Sequence, residues 1–225
     1  MNRITITCTR TEKTIARSSL YFFCRCCEAL GRANTINPVF TLNYPELLVA
    51  TYLQKHLPAS AGYSTLIPLS AQQKGYDLAV LRRTAAGVKV ATFQVKSSRT
   101  YLGSPGLAPR SGLQTFAHYM WLKTFIVPTE ADFFVLIGQY ATSPTSLKHT
   151  TSLWNTHMLL FTQAEMKTLM AAIRQKKRNA PDSHFGFGFD TPDQAYLTRG
   201  HAQSPHLNFS PQLLSHRVDL IKAAL

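Results

Sequence analysis

The spacing of apolar residues changes along the chain. Leu48, Val49, Tyr52, Leu53 and Leu57 recur at the spacing of one helical face. Asn43-Tyr44-Pro45-Glu46 opens that helix, with Asn43 as a capping residue and Glu46 three positions on, a capping-box arrangement. From Tyr63 to Leu69 and again from Leu78 to Val95 the pattern changes to that of strands. Leu78 to Arg83 is apolar then basic, Thr84-Ala85-Ala86-Gly87 carries a turn signal, and Val88 to Val95 is rich in β-branched and aromatic residues. A β-hairpin centred on Ala85 and Ala86 pairs Leu78 with Phe93 and sets Asp77 opposite Gln94. Lys96 then points to the same side as Gln94. Leu78, Val80, Phe93 and Val95 fall on one face and Ala79, Leu81, Val90 and Thr92 on the other, the pattern of a central pair covered on both sides.

Further along, Phe116 to Phe125 reads as a strand from its aromatic content, Ala131 to Gly138 as a buried strand, and His157 to Phe161 as a short one. Thr162-Gln163-Ala164-Glu165 is a capping box that predicts a helix from Glu165 to Arg178. His184 to Phe189 alternates aromatic residues with glycine, which suits a strand or hydrophobic plug better than a phosphate loop, since no helix with a lysine follows. A terminal helix is expected over Gln212 to Leu225, docking through Leu213, Leu214, Val218, Leu220 and Ile221. Between Ser98 and Gly112 the Gly and Pro content predicts a long irregular segment leaving the second hairpin strand. The expected organisation is a basic arm over 1–38, a core over 39–180 and a C-terminal extension over 181–225.

The hairpin end carries the candidate chemistry. A carboxylate and an amide oxygen suit a hard divalent cation, and a lysine beside it can stabilise charge developing on a phosphoryl group. Asp77 followed by Gln94-Val95-Lys96 resembles the PD-(D/E)xK nuclease superfamily, in its Gln-x-Lys form similar to the intron-homing branch. The resemblance covers roughly residues 40–165, and Glu46, Asp77, Gln94 and Lys96 follow the superfamily's order. It implies an α/β fold with a restriction-endonuclease-like core, a small mixed sheet flanked by helices, and terminal extensions. It further implies Mg²⁺ or Mn²⁺ held by Asp77, Gln94, the Val95 carbonyl and Glu46, with Lys96 stabilising charge or orienting water. Glu46 is equally well accounted for by helix capping. The loss of one negative charge at Gln94 places more of the cation's attraction on Asp77.

Charge is lopsided: 24 Lys and Arg face 11 Asp and Glu, a formal net charge of +13. Such a chain attracts polyanions by long-range steering and counterion release. DNA is the expected partner, with Arg99, Tyr101 and Arg110 as candidates to hold the backbone and stack on a base. Each also fits an ordinary solvated surface. His118, among aromatics, fits packing better than the site. No run of eighteen apolar residues exists, which argues against a transmembrane helix. Cys8, Cys24, Cys26 and Cys27 all fall in the basic arm at spacings unlike structural zinc sites and read as reduced thiols, so a cytoplasmic protein is expected. Cleavage of both DNA strands implies a homodimer or larger assembly. Two other classes stay open: a non-catalytic nucleic-acid-binding module on the same fold, and a basic interaction protein without a site.

Overall fold

The computed structural model describes residues 44–68, 75–103, 116–141, 154–175, 180–201 and 207–225. The chain divides into two compact units, 1–38 and 39–225, and every described residue belongs to the second. Leu69, Arg110 and the four cysteines lie outside the described residues.

Helix α1 spans Tyr44–His56 and leads through a tight turn at Gly62 into strand β1, Tyr63–Leu66. The strand is shorter than the apolar run predicts. Strands β2, Leu78–Thr84, and β3, Gly87–Leu102, form the expected hairpin, with Leu78 opposite Phe93 and Thr84 opposite Gly87. A two-residue turn leaves the register no freedom, which is why it was legible. Strand β4 covers His118–Lys123, β5 Phe133–Ala141 and β6 Trp154–Thr162. Helix α2 spans Gln163–Ala172, and β7, His184–Phe189, β8, Tyr196–Arg199, and β9, Leu207–Asn208, complete the strands. Helix α3, Val218–Ala224, is preceded by two 3-10 turns at Ser210–Gln212 and Leu214–His216, where one continuous helix was expected.

The described residues are mixed α/β, with a mostly antiparallel sheet flanked by three helices. Among the described residues the sheet has nine strands, more than the small sheet expected. The order β1-β2-β3-β4-β7-β8-β9 is joined at β3 by a branch in which β5 pairs parallel to β3 and β6 antiparallel to β5. The parallel contact begins at a clamp: Asp132 Oδ2 accepts the N–H and hydroxyl of Thr92, both at 2.9 Å, while Asp132 N–H donates to the Thr92 carbonyl at 3.0 Å.

Two cores lie on opposite faces of β3, β5 and β6. Val49, Leu53 and Leu57 of α1 pack with Leu78, Val80, Phe93, Val95, Phe133, Val135 and Leu160, joined by Val218, Ile221 and Leu225 from the C-terminus. Phe134, Leu136, Leu159 and Phe161 point the other way, to Met120 and Leu122 of β4, Met166 and Leu169 of α2, and Phe185, Phe187 and Phe189 of β7. Burial on both faces explains the unbroken apolar run of β5. Residues 181–225 thus supply strands and helix to this one unit, whereas the sequence set them apart as an extension. The outer hairpin differs from expectation too: Val90 is 52% exposed, so only the α1 face is covered toward the turn.

Helix α2 opens on the predicted capping box, with Thr162 Oγ1 accepting the Glu165 N–H and Glu165 Oε2 accepting the Thr162 N–H at 2.8 Å. It stops at Ala172, short of Arg178, because Ile173 turns extended and Arg174 N–H donates to the Gly200 carbonyl. The C-terminus is fastened by Arg217, whose guanidinium makes a bidentate pair with Glu165, both contacts at 2.8 Å, and donates to the Leu160 carbonyl. Among the described residues no helix is long and apolar enough to cross a membrane.

Candidate functional site

Asp77 stands just before β2, where the hairpin ladder runs out. Its N–H donates to the Phe93 carbonyl and its carboxylate Oδ2 accepts the Val95 N–H, each at 2.7 Å. The side chain therefore takes the place of a strand carbonyl. Successive main-chain groups of a strand leave on alternate edges. The Thr92 carbonyl points to β5, while the Phe93 carbonyl and the Val95 N–H point to β2. Gly103, odd-numbered like Phe93 and Val95, donates its N–H to the Ala117 carbonyl at 2.7 Å, just before β4. So β2 and β4 follow each other along one edge of β3, and Asp77 occupies the fork between them. The N–H and C=O of one strand residue leave on the same edge, which aims the Val95 carbonyl toward Asp77 as well.

At the far side of the fork Ser98 Oγ accepts the Trp121 N–H at 2.9 Å and lies 2.8 Å from the Trp121 carbonyl. Both ends of the fork are closed by side chains standing in for main-chain partners.

Gln94 and Lys96 alternate to the face of β3 opposite Phe93 and Val95. Gln94 is only 9% exposed, and its Oε1 is buried without a hydrogen-bond partner. A buried acceptor left unmade costs about 1–3 kcal/mol. The Lys96 ammonium lies 5.3 Å from the centroid of the Phe125 ring, a cation–π contact. Ion pairs within 4 Å among the described residues are Arg199–Asp182, Arg217–Glu165 and Lys222–Asp219. Lys96 therefore acts on Asp77 from a greater distance. Burial raises the Asp77 carboxyl above its ordinary value, and the opposing pull of the Val95 N–H and of Lys96 does not cancel it. The charged form of this carboxyl is undersupplied with compensating positive charge.

Glu46 lies in the first turn of α1, whose buried Val49, Ala50 and Leu53 face the Phe93 side of the sheet. The sheet thus stands between that helix and the face of Gln94 and Lys96. Another acid, Glu130, is placed on the latter face: its carbonyl accepts the Thr92 hydroxyl at 2.7 Å. Its side chain lies against Gly75, two residues before Asp77. A Cβ on Gly75 would stand 2.7 Å from the Glu130 Cβ and 2.9 Å from Oε2, and Gly75 has φ +91, so glycine is required there on both counts. Nothing in periodicity or motif marks Glu130, which sits in a loop 53 positions along the sequence from Asp77. Among the described residues no three His, Cys, Asp or Glu side chains gather into a metal-holding group. Donors for a cation here are the Asp77 carboxylate, the Gln94 amide oxygen and the Val95 carbonyl, all hard oxygens.

The remaining candidates separate. Arg99 and Tyr101 are not in a loop, because β3 continues to Leu102; both are exposed, on the face opposite Lys96. His118 is packed between Tyr140 and Phe189, with ring centroids at 4.6 and 5.4 Å, away from the fork. The chain matches no family model, no curated protein and no solved structure.

Proposed function

We propose that this chain is a divalent-metal-dependent endonuclease hydrolysing DNA phosphodiester bonds, with its centre at the β2–β4 fork. One observation carries the reading. The hairpin register sets a desolvated carboxylate, an unpartnered buried amide oxygen and a lysine around the end of one strand pair. A helix, three antiparallel strands and, after the intervening β4, a strand parallel to the third support the PD-(D/E)xK reading.

Asp77, Gln94 and the Val95 carbonyl would hold Mg²⁺ or Mn²⁺, and Glu130 adds negative potential on the face of Gln94 and Lys96. When bound, the ion supplies positive charge against the phosphoryl oxygens. The chain's own contribution is positional. Asp77 is fixed by its bond to Val95, Gln94 by burial, and Lys96 by Phe125, so little reorganisation accompanies reaction. The Lys96 ammonium stabilises the negative charge that builds on the phosphorus oxygens, or donates a hydrogen bond to orient the attacking water. Cutting both strands then takes two copies of the chain.

Nicking of supercoiled plasmid by purified protein, with Mg²⁺ and with EDTA, tests this directly. Metal-dependent nicking that falls about 100-fold or more in Lys96→Ala, and in Asp77→Asn, is the expected result. Gln94→Glu should retain or raise Mg²⁺ affinity. Nicking that survives Lys96→Ala would refute the assignment. A second reading, a binding module without turnover, is favoured by the structural use of the Asp77 carboxylate in the ladder; it expects salt-sensitive DNA binding and no nicking with any metal.

A further inference from the structure

Sheet β4-β7-β8 has one face on the second core; on the other, Phe116 covers Gly188 and packs on Tyr119 and Tyr196, while the stretch around Trp121 and Lys123 is exposed. On β4, Met120 and Leu122 point inward, so Tyr119, Trp121 and Lys123 point outward. On β3 the outward residues beyond the reach of α1 are Ser97, Arg99 and Tyr101, all exposed. The Phe-Gly alternation of β7 continues the rule: Phe185, Phe187 and Phe189 fill the core, and Gly186 and Gly188 lie on the other face, Gly188 under Phe116 and Gly186 under Trp121. Gly186 has a definite use. A Cβ there would stand 2.3 Å from Trp121 Cδ1 and 3.0 Å from Nε1, so the missing side chain lets the indole lie down on the sheet. The Tyr101 ring sits beside it, centroids 5.3 Å apart and planes inclined by 33°, and each residue remains 47% exposed.

Two large rings side by side on a sheet and half open to water form an apolar patch of the kind that marks an interaction site. The occupant is indicated by charge. Arg99 and Lys123 flank the rings along the two strands, both exposed, while Arg199 on β8 is already held by Asp182 at 3.0 Å. The chain as a whole carries +13. Cations at the margin with flat apolar rings between them match a ligand that alternates phosphates with unsaturated rings. In a duplex those rings are stacked on one another and unreachable; in a single strand they are free to stack on side chains.

We propose that the open face of Tyr101 and Trp121 is a stacking platform for unpaired nucleotides of DNA, with Arg99 and Lys123 taking the adjoining phosphates. This rests on the nuclease reading for its choice of DNA and deepens it. The substrate bound here is single-stranded or locally opened, and Ser98, through its hydroxyl on the Trp121 main chain, ties β3 to β4 beside the platform.

The two tryptophans are Trp121 and Trp154, so Trp154→Phe makes Trp121 the sole indole reporter. In EDTA, where binding is separated from cleavage, that protein is titrated with oligo(dT) of about 20 nucleotides, with oligo(rU), and with a duplex of equal length. The expected result is quenching of Trp121 by oligo(dT) and tighter binding of oligo(dT) than of duplex. In anisotropy measurements with labelled oligo(dT), Tyr101→Ala and Trp121→Ala should each weaken binding about 5- to 150-fold, the range for loss of one stacked base. Trp121→Phe, which keeps a ring, should recover part of that loss. Arg99→Ala and Lys123→Ala should each flatten the salt dependence by about 0.7 in the log–log slope. Binding of oligo(dT) without quenching, no preference over duplex, or a preference for oligo(rU) would overturn the proposal. Intact quenching with absent nicking sinks the nuclease reading alone, and nicking without quenching sinks this one alone.

Discussion

Lowering the pH should destabilise this protein through one residue above all. His157 on β6 is 1% exposed, neither ring nitrogen has a hydrogen-bond partner, and its ring lies on Phe189 with centroids 4.0 Å apart and planes inclined by only 6°. Burial, assisted by the neighbouring His118, lowers its pKa to about 4. An unfolded histidine titrates near 6.5. Between these values the unfolded chain binds the extra proton and the folded chain does not, so stability falls as pH drops through that window. From about pH 7 to about pH 5 a single group with these two constants loses about 2 kcal/mol. In a protein of this size that lowers Tm by about 4–8 °C.

The other shifted groups differ in sign and range. His118 is lowered by burial, partly offset by Asp190, and adds to the same trend. Asp77, raised by burial, has the opposite sign: stability is lost as pH climbs from the ordinary carboxylate value through the folded one. Glu165 is depressed because Arg217 and Thr162 outweigh its burial, and its contribution is lost only as pH falls below the ordinary carboxylate range. Thermal melts followed by circular dichroism at several pH values, on the native chain and on His157→Met, measure the term. Methionine fills a similar apolar volume and cannot titrate. The variant should lose most of the fall in Tm between about pH 7 and about pH 5. An undiminished fall in the variant would refute the assignment to His157.

Three further outcomes follow from named contacts. Asp77→Asn can still accept the Val95 N–H but carries no buried charge, so Tm at neutral pH should hold or rise while any Mg²⁺-dependent stabilisation, read in the same melts, disappears. Glu130→Gln should raise the Mg²⁺ concentration needed for half-maximal nicking several-fold, whereas Glu46→Gln, on the far side of the sheet, should leave it in place; the reverse pattern would restore Glu46 as the working acid. Arg217→Ala strips the Glu165 carboxylate and the Leu160 carbonyl of their partner, and urea melts should record a loss of about 2 kcal/mol.

What the sequence disclosed was local. The hairpin register follows from a two-residue turn, the α2 start from a capping box, and the β7 strand from the period of two in Phe-Gly-Phe-Gly-Phe. What it concealed depends on partners distant in the chain. Arg99-Thr100-Tyr101-Leu102 read as the start of a loop because Gly and Pro follow closely, yet β4 supplies a neighbour that keeps those residues extended. Periodicity assigned Gln94 and Lys96 to one face and Glu46 to a helix without telling which face the helix covers. Glu130 was invisible for the same reason, since its approach to Gly75 is fixed by the Asp132–Thr92 clamp rather than by anything near it in sequence. Arg217 and Glu165, 52 positions apart, carry no pattern either.

The fork in β3 bears on why Asp77 is an aspartate. Where one strand edge passes from β2 to β4, main-chain groups need substitutes, and Ser98 meets that need with a neutral hydroxyl. Asparagine would serve equally at position 77, since its side-chain oxygen accepts an N–H with the same geometry. The carboxylate is the costlier choice, because burial outweighs both the Val95 N–H and the Lys96 charge. Beside it Gln94 adds a second uncompensated oxygen, again at a cost to folding. These two costs, with Lys96 acting on Asp77 and held by an aromatic ring, have no structural return that asparagine at 77 and an apolar residue at 94 would not give. A cation bound there would relieve both at once, lowering the carboxyl's pKa toward its ordinary value and giving the amide oxygen a partner, and that is the physical ground for proposing the fork as a site rather than as a seam.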